Sequence, residues 1–264
     1  MGLFSKATVQ TSLYAPSPPQ GADQDDLFSP TGRPRLDLFG VRKSLAEHYL
    51  SGRGIEFGAL HAGMELPWTL QVRYADMMSA EDLKKAFPEL EDFRAPDIVT
   101  DLESMRGIES ASEDFIIANH VMEHVEDPFR ALKSMARVLR PNGVAFLALP
   151  DKRYTFDRDR TITPLEHLIR DHEEGPDWSL KGHYEEWVDL VDKLEGGAAA
   201  TKKAQMLAER ANIHFHCWDY PAMMEMFAYV ARRPDIDLEV ELSVQNTMEV
   251  VWVLRKPAKA DVAG

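Results

Sequence analysis

Apolar residues recur with two different spacings along this chain, and each spacing predicts one kind of secondary structure. A spacing of three or four residues from Leu36 to Tyr49 predicts a helix, which Gly52 and Gly54 end. Short continuous apolar runs further along predict buried strands. We expect five of them, at residues 54–57, 70–76, 95–101, 113–120 and 144–150.

Polar residues at fixed offsets mark two helices between these strands. Ser79 is a predicted N-cap, with Asp82 three residues later in an arrangement close to a capping box. Asp127 is a second predicted N-cap, followed by Pro128 at the first helical position. Pro141-Asn142-Gly143 ends that second helix.

The C-terminal part has a different pattern. Residues 220–233 predict a helix, and the runs at 237–244 and 247–256 predict two strands joined at Gln245-Asn246. Strands alternating with helices are typical of a parallel sheet covered on both faces. We therefore predict an α/β fold with a seven-stranded, mostly parallel sheet, helices on both faces and an antiparallel C-terminal hairpin.

Two segments do not fit the alternation. Residues 1–35 are rich in Pro, Gly and Asp, and we interpret them as a flexible N-terminal tail whose removal leaves the fold intact. The domain would then span 36–264. Residues 151–216 are rich in charge, histidine and aromatic side chains, and we expect the stretch 195–203, a soft spot of this segment, to be weakly ordered. We interpret them as a helical and loop insertion after the fifth strand, forming a lid over the open end of the sheet.

Composition narrows the class of partner. The 44 acidic residues against 30 basic ones give a net charge of −14, which argues against nucleic acid and an anionic membrane as partners. Cys217 is the single cysteine, so no intrachain disulfide and no cysteine-based zinc cluster can form. With no apolar stretch long enough to span a membrane, we expect a cytoplasmic protein that acts on a small molecule or a glycan. The pattern leaves the oligomeric state open.

Polar residues gather where the predicted strands end. Ligands of open parallel sheets bind at those carboxyl ends, so the residues there are candidates for a site. They are Glu56, Gly58, Ala59, Asp76, Asp101, Asn119, His120, Glu123, His124 and Asp151. Gly58 allows close approach of a ligand to the backbone, and Asp76 lies where a carboxylate accepts from ribose hydroxyls. The first loop lacks the Gly-x-Gly-x-x-Gly pattern, which favours a ligand with adenosine but no phosphate.

Two stretches carry a family resemblance. "IEFGALHAG" at 55–63 and "HVMEHVEDPFRALKSMARVLRPNGVAFLALPD" at 120–151 resemble class I S-adenosylmethionine-dependent methyltransferases of the methyltransferase type 11 group. The resemblance covers about residues 37–256 and implies a Rossmann-like sheet. "PDKRYTFDRDRTITPLEHL" and "HYEEWV" also resemble a bacterial branch associated with surface-glycan biosynthesis.

The resemblance implies S-adenosylmethionine as cofactor and a role for each strand end. The methionine part would be held by Glu56, Gly58 and Ala59. The ribose would lie against Asp76 and Met77, and the adenine against Asp101 and Leu102. Asn119 and His120 would line the cofactor beside the methyl group.

Methyl transfer to an oxygen requires alignment and removal of a proton. Histidine is the base best matched to neutral pH, and the candidates are His124, His183 and His214, with Asp151 orienting one of them. His214 and His216 alternate on an extended segment and should point to one face. For an anionic acceptor such as a sugar nucleotide, the predicted binding residues are Arg153, Tyr154, Arg158 and His216.

Other functions stay open at this stage. His120, Glu123 and His124 would suit a divalent ion on one helical face, but we assign no metal. The favoured acceptor is a sugar hydroxyl, with another small metabolite as an alternative. A methyltransferase-like binding protein without catalysis is a second alternative, because Leu60 and His61 replace the usual second glycine. A nicotinamide-dependent enzyme would need a phosphate loop and a Tyr-x-x-x-Lys pair.

Overall fold

A computed structural model describes residues 38–90 and 92–258 of the chain and contains a seven-stranded sheet. The strands are β1 (Arg53–Phe57), β2 (Gln71–Asp76), β3 (Ile98–Val99), β4 (Glu113–Asn119), β5 (Leu139–Pro150), β6 (Glu239–Asn246) and β7 (Glu249–Arg255). Their order in the sheet is β3-β2-β1-β4-β5-β7-β6. The first five pair in parallel, and β7 is antiparallel to both β5 and β6. The predicted fold class is confirmed; the predicted tail lies outside the described residues.

Helices cover both faces of the sheet. They are α1 (Leu38–Tyr49), α2 (Ala80–Ala86), α3 (Pro128–Val138), α4 (Leu165–Glu174), α5 (Asp177–Leu190), α6 (Gly196–Glu209) and α7 (Tyr220–Val230). Side chains from α3, α4 and α7 pack with one face of the sheet in the larger core. Side chains of α1 pack with the other face, where Phe115, Phe146 and Val253 lie. Burial on both faces explains why the central strands read as continuous apolar runs.

Predicted N-caps occur where the sequence indicates them. The Ser79 side chain accepts a hydrogen bond from the Asp82 amide, and the Asp127 side chain accepts from the Arg130 amide. Asp219 caps α7 in the same way. Among residues 38–90 and 92–258, no helix has both the length and the apolar character needed to cross a membrane.

Two boundaries differ from their predictions. Helix α3 ends at Val138 rather than at Pro141. Pro141 disfavours the helical conformation of the residue before it, and Leu139 already pairs with Glu113 of β4. The hairpin turns at Thr247-Met248 rather than at Gln245-Asn246. Asn246 and Glu249 form the last strand pair before the turn, and Thr247 has a positive φ of 57°.

The insertion is more ordered than the sequence indicated. The segment 195–203, predicted as a soft spot, forms the cap and first turns of α6. Its alanines favour a helix, and Ala199 and Met206 pack against α5 around Tyr184. The insertion therefore has an apolar core of its own beside the sheet.

Residues 58–70 connect the parallel strands β1 and β2 and contain no helix. Met64 of this connection is buried at the strand ends. Its amide donates to Glu56 Oε1 over 2.8 Å, and its Sδ lies 3.4 Å from Asn119 Nδ2. The connection therefore lies across the carboxyl ends of β1 and β4.

Candidate functional site

The carboxyl ends of the parallel strands bring the predicted polar residues to one edge of the sheet. Phe57 pairs with Ala75 and Ala118, which places Gly58 between Asp76 and Asn119. Glu249 starts the antiparallel strand β7 opposite Pro150, and so it reaches the same edge. Sequence reasoning missed Glu249, because its acidic side chain follows an ordinary turn.

The end of β1 carries a glycine that lets the backbone pass close to the Val121 side chain. Gly58 has a φ of 67°, and an added Cβ would lie 2.8 Å from Val121 Cγ2. Nearby, Glu56 Oε2 and Asn119 Oδ1 are buried without a hydrogen-bond partner. Buried oxygens of this kind cost free energy unless a ligand or water satisfies them. These three residues therefore indicate a ligand with hydrogen-bond donors at the β1–β4 junction.

Burial raises the pKa of Glu56 to about 7. The Met64 amide opposes this shift by its hydrogen bond, and the charges of Arg42 and Arg94 oppose it from greater distance. A carboxyl group with this pKa gains most from a cationic partner, because the partner favours its ionised form. The site at β1 therefore suits an ammonium group.

The carboxylates that follow β2 and β3, Asp76 and Asp101, differ in how many of their oxygens are free to bind a ligand. Asp76 Oδ1 accepts from the Met78 amide, and burial raises the pKa of Asp76. Asp101 accepts from both the amide and the hydroxyl of Ser104, which leaves it engaged in its own turn. Leu102 belongs to the larger core, while Met77 is largely exposed. Asp76 is the carboxylate better placed for a ligand.

A buried polar chain runs along the same edge from α1 to the residues after β4. Arg42 donates to Glu249 through both Nε and Nη2, with Nε 2.8 Å from Oε1. Glu249 Oε2 also lies 2.8 Å from His120 Nε2. His120 has a φ of 55°, and its Nδ1 lies 3.7 Å from Glu123 Oε1. The positively charged partners outweigh burial and lower the pKa of Glu249, so its carboxylate stays ionised.

The buried polar chain of side chains continues into the insertion through His214. His214 Nδ1 lies 2.7 Å from Asp157 Oδ2, and its Nε2 lies 3.8 Å from Glu123 Oε1. Arg160 donates to Asp157 Oδ1 over 2.9 Å and to the His214 carbonyl over 2.7 Å. Although burial opposes it, the bond from His214 and the charge of Arg160 lower the pKa of Asp157. A carboxylate on Nδ1 leaves Nε2 as the nitrogen with a free lone pair.

Glu123 and His124 complete this group. Both Glu123 oxygens are buried without a hydrogen-bond partner, and burial raises the pKa of Glu123. His124 Nδ1 faces Asn212 Oδ1 and the Ile213 carbonyl at 3.0 Å each, so it carries the proton. Burial and the neighbouring His214 lower the pKa of His124 to about 3, which makes it a poor base. Nitrogen and oxygen atoms of Glu123, His124 and His214 lie close enough together to hold a cation.

Asp151 does not orient a histidine, contrary to the prediction. Its oxygens accept from Arg153 Nε and Nη2, at 2.9 Å and 2.6 Å. The carboxylate of this segment that bonds a histidine is Asp157, six positions further along "DKRYTFDRDR", and its partner is His214. Spacing could not distinguish the two acids, because the choice depends on where His214 returns to the sheet.

Three of the predicted acceptor-binding residues, Arg153, Tyr154 and Arg158, lie on the protein surface. Tyr154 is 57% exposed, and the Arg153 guanidinium lies 5.4 Å from its ring centre. Arg158 is exposed further out, near Asp159. Arg153 and Tyr154 thus form a surface beside β5, while Arg158 lies apart from it.

His183 and His216 are not part of the strand-end group. Both are buried beside His167 and Asp171, in the space between α4, α5 and the segment before α7. His214 and His216 therefore serve two different clusters, although the sequence indicated one shared face. His216 is buried in this second cluster, away from the strand ends.

A cavity of about 570 Å³ lies at the opposite edge of the sheet, where β1, β2 and β4 begin. Arg73 and Glu113 line it and form an ion pair of 2.7 Å. The unpaired oxygens of Glu56 and Asn119 lie at the other edge, so the cavity does not coincide with the candidate site.

Residues 58–147 match the model of a protein family described as a methyltransferase domain. The matched segment is about a third of the chain and includes Gly58, Asp76, Asn119 and His124. The resemblance predicted from the sequence is confirmed, and S-adenosylmethionine is the methyl donor that the match indicates. No curated protein matches the sequence at a significant level.

Solved methyltransferase structures resemble the chain at low identity. The CurJ carbon methyltransferase is 16% identical with a TM-score of 0.43, covering 80% of this chain and 50% of its own. The N-methyltransferase NodS of Bradyrhizobium japonicum, in complex with S-adenosylhomocysteine, is 12% identical (TM-score 0.43; 83% and 85% covered). A methyltransferase of Methanosarcina mazei is 12% identical (TM-score 0.45; 81% and 98% covered). The chain thus spans half the length of the first, and similarity at this level does not define which atom is methylated.

The residues at the strand ends fit the implied donor. An unpaired carboxylate oxygen and an unpaired amide oxygen lie beside Gly58, whose backbone is not covered by a side chain of its own. Glu56 and Gly58 would hold the amino acid part, and Asp76 the ribose. In the present geometry Met64 covers Glu56, so the 58–70 connection would have to shift when the donor binds.

Proposed function

We propose that this protein is an S-adenosylmethionine-dependent methyltransferase whose acceptor is the hydroxyl oxygen of a small molecule or glycan. The observation that carries the proposal is the pair of His214 and Asp157, which faces the strand ends with a free Nε2. An amine acceptor is able to lose its proton to solvent before reaction, whereas a hydroxyl needs a positioned base. The arrangement therefore favours transfer to oxygen.

Each residue would have a separate task. The bound donor supplies an electrophilic methyl group on a sulfonium sulfur. His214 Nε2 would receive the hydroxyl proton, while Asp157 holds the ring by its Nδ1–H and stabilises the imidazolium that forms. Glu123 and His120 would border the acceptor oxygen from the β4 side. The insertion and the 58–70 connection would exclude water.

A sugar is the acceptor class that we favour, in the biosynthesis of a surface polysaccharide. Support comes from the exposed Tyr154 ring and the adjacent Arg153 guanidinium, which together offer an apolar face and hydrogen-bond donors. A sugar ring presents the matching apolar face and acceptors, and Arg binds phosphate or carboxylate groups in a fork geometry. A sugar nucleotide would use both features.

Calorimetric titration with S-adenosylmethionine and S-adenosylhomocysteine tests the cofactor. We expect Asp76→Ala to weaken binding of both by about 1–3 kcal/mol, since the change removes a half-buried carboxylate that accepts from the ribose. Asp237→Ala is the matched control, because Asp237 is exposed and precedes β6 at the opposite end of the sheet. Equal affinities for wild type and Asp76→Ala would contradict the assignment of Asp76.

Glu56 gives the cofactor site a specific pH dependence. Its pKa of about 7 in the free protein means that an ammonium ligand binds the ionised form and releases a proton. Affinity should therefore fall as the pH falls through 7, by about fivefold between pH 7 and pH 6. Titrations in buffers of different ionisation enthalpy should show about one proton released at pH 6.

Glu56→Gln is the control for this titration, because it keeps the shape and removes the charge. The variant should bind more weakly at pH 7 and release no proton from this site. Proton release that persists in Glu56→Gln would assign the pH dependence to another group.

A second candidate function rests on the connection 58–70. Met64 binds Glu56 and contacts Asn119, so in this geometry the chain itself occupies part of the strand-end site. A methyltransferase-like binding protein without catalysis would retain such a connection. Absence of binding of either adenosyl ligand to the folded protein would favour this second function.

A further inference from the structure

We propose that His167, Asp171, His183 and His216 form a structural zinc site inside the insertion. One ligand atom from each of the four side chains lies within 4.8 Å of all the others. The site is separate from the strand-end group and does not depend on the proposed methyl transfer.

Distances within the cluster match a small tetrahedral ion. His167 Nε2 lies 3.2 Å from His183 Nε2 and 3.1 Å from Asp171 Oδ2. Four ligands at zinc–nitrogen and zinc–oxygen distances of about 2.0–2.1 Å in a tetrahedron are about 3.3 Å apart, which is close to both separations.

Hydrogen bonds within the protein satisfy only part of the cluster. His167 and His183 share one between their Nε2 atoms, and His216 Nε2 donates to the Glu126 carbonyl over 3.3 Å. Asp171 Oδ2 has no hydrogen-bond partner although His167 Nε2 is only 3.1 Å away, because the geometry between them is not that of a hydrogen bond. His216 Nδ1 is also buried and unpaired. Leaving two such atoms unsatisfied in a dry interior is costly. A cation among the four side chains would satisfy the aspartate and accept the imidazole lone pairs.

The surroundings hold the ligands as a metal site requires. Ser179 Oγ donates to Asp171 Oδ1 over 2.9 Å, which turns Oδ2 towards the histidines. The Trp218 ring stacks on His216 and the Trp178 ring packs against His167, which restricts both imidazoles. Contacts of this kind behind the ligands orient them in known zinc sites.

Three imidazoles and one carboxylate select the metal class. This set suits zinc, whereas calcium and magnesium prefer oxygen ligands alone. Four protein ligands leave no open position, so the role is structural. His167 and Asp171 lie one turn apart on α4, His183 lies on α5, and His216 lies on the segment that carries His214. The ion would therefore join two helices of the insertion to the segment that reaches the strand ends.

Zinc binding is measured directly on the tag-free, full-length protein. After treatment with a chelator, titration with zinc chloride against a chromophoric competitor should give one tightly bound equivalent. Cobalt(II) should give the visible absorption of a tetrahedral site. We expect His167→Gln and Asp171→Asn to abolish this binding, and Ser179→Ala to weaken it by about 10–100-fold.

Control variants separate this cluster from its neighbours. His172→Gln changes the next histidine of α4, which bonds Asp127 rather than the cluster, and should keep one equivalent. His124→Gln should also keep it, because His124 belongs to the strand-end group. A folded wild type that binds no zinc, or zinc binding that is lost in His124→Gln but kept in Asp171→Asn, would overturn the proposal. Ser179→Ala keeps the four ligands, so it tests the site even where loss of a ligand prevents folding.

Discussion

Replacing His214 by glutamine should lower the kcat of methyl transfer by about 100–10,000-fold, the range that a positioned general base contributes. The side chain faces Asp157 with Nδ1 and the strand ends with Nε2, so the variant removes the proton acceptor but no predicted cofactor contact. The measurement is steady-state kinetics with a hydroxyl acceptor, alongside calorimetry with S-adenosylhomocysteine. We expect the affinity for S-adenosylhomocysteine to stay within about twofold of wild type, well below the loss in kcat.

Two aspartates provide a matched comparison for this prediction. Asp157→Asn should lower kcat strongly, because an amide no longer fixes the productive tautomer of His214. Asp151 is equally buried but bonds Arg153, so Asp151→Asn should act mainly on the KM of the acceptor. A wild-type kcat in both His214→Gln and Asp157→Asn would show that the acceptor needs no base, as for an amine.

Much of the fold followed from local patterns. The caps at Ser79 and Asp127 depend on side chains within three residues of the amide that they bind, so the sequence contains the whole interaction. The continuous apolar runs of β4 and β5 reflect burial on both faces of the sheet, which is also readable. The helix at 196–209 was missed because its stability comes from packing against α5, which no local pattern records.

The candidate site was only partly predictable for the same reason. Strand ends are marked by sequence, so Gly58, Asp76 and Asn119 could be placed together from the order of residues alone. Pairings across the chain could not be placed: Asp157 was overlooked in favour of Asp151, and Glu249 was not considered. Both depend on where distant segments meet, which a single sequence does not specify. The four proposed zinc ligands were likewise scattered along the insertion.

These long-range pairings connect the two halves of the site. Glu249 fixes His120 from the sheet, and Asp157 fixes His214 from the insertion, with Glu123 between the two histidines. The proposed methyl-donor side and the proposed acceptor side therefore meet along one row of buried polar side chains. A substitution at the outer end of this row should lower the free energy of unfolding, because the charged side chain that loses its partner remains buried.

Arg42 is that outer end, and Arg42→Met should lower the free energy of unfolding by about 3–5 kcal/mol. The guanidinium is buried and donates twice to Glu249, so its loss leaves a buried carboxylate with weaker compensation. Asn246 and His120 still bond Glu249, which favours the lower end of that range. For a domain of this size, a loss of about 3 kcal/mol corresponds to a fall in melting temperature of about 6–12 °C, which calorimetry or circular dichroism can measure.

The double variant Arg42→Met/Glu249→Gln distinguishes a paired charge from lost packing. Removing both charges abolishes the unpaired carboxylate, so the double variant should be more stable than Arg42→Met alone. Adding the single variant Glu249→Gln completes the cycle that gives the coupling between the two side chains. Lys43→Met is the control, because Lys43 is the next residue of α1 and its ion pair with Glu65 is exposed. Exposed pairs contribute at most about 1 kcal/mol, so the control should melt near wild type. If Arg42→Met melts like Lys43→Met, the buried pair does not hold α1 against the sheet.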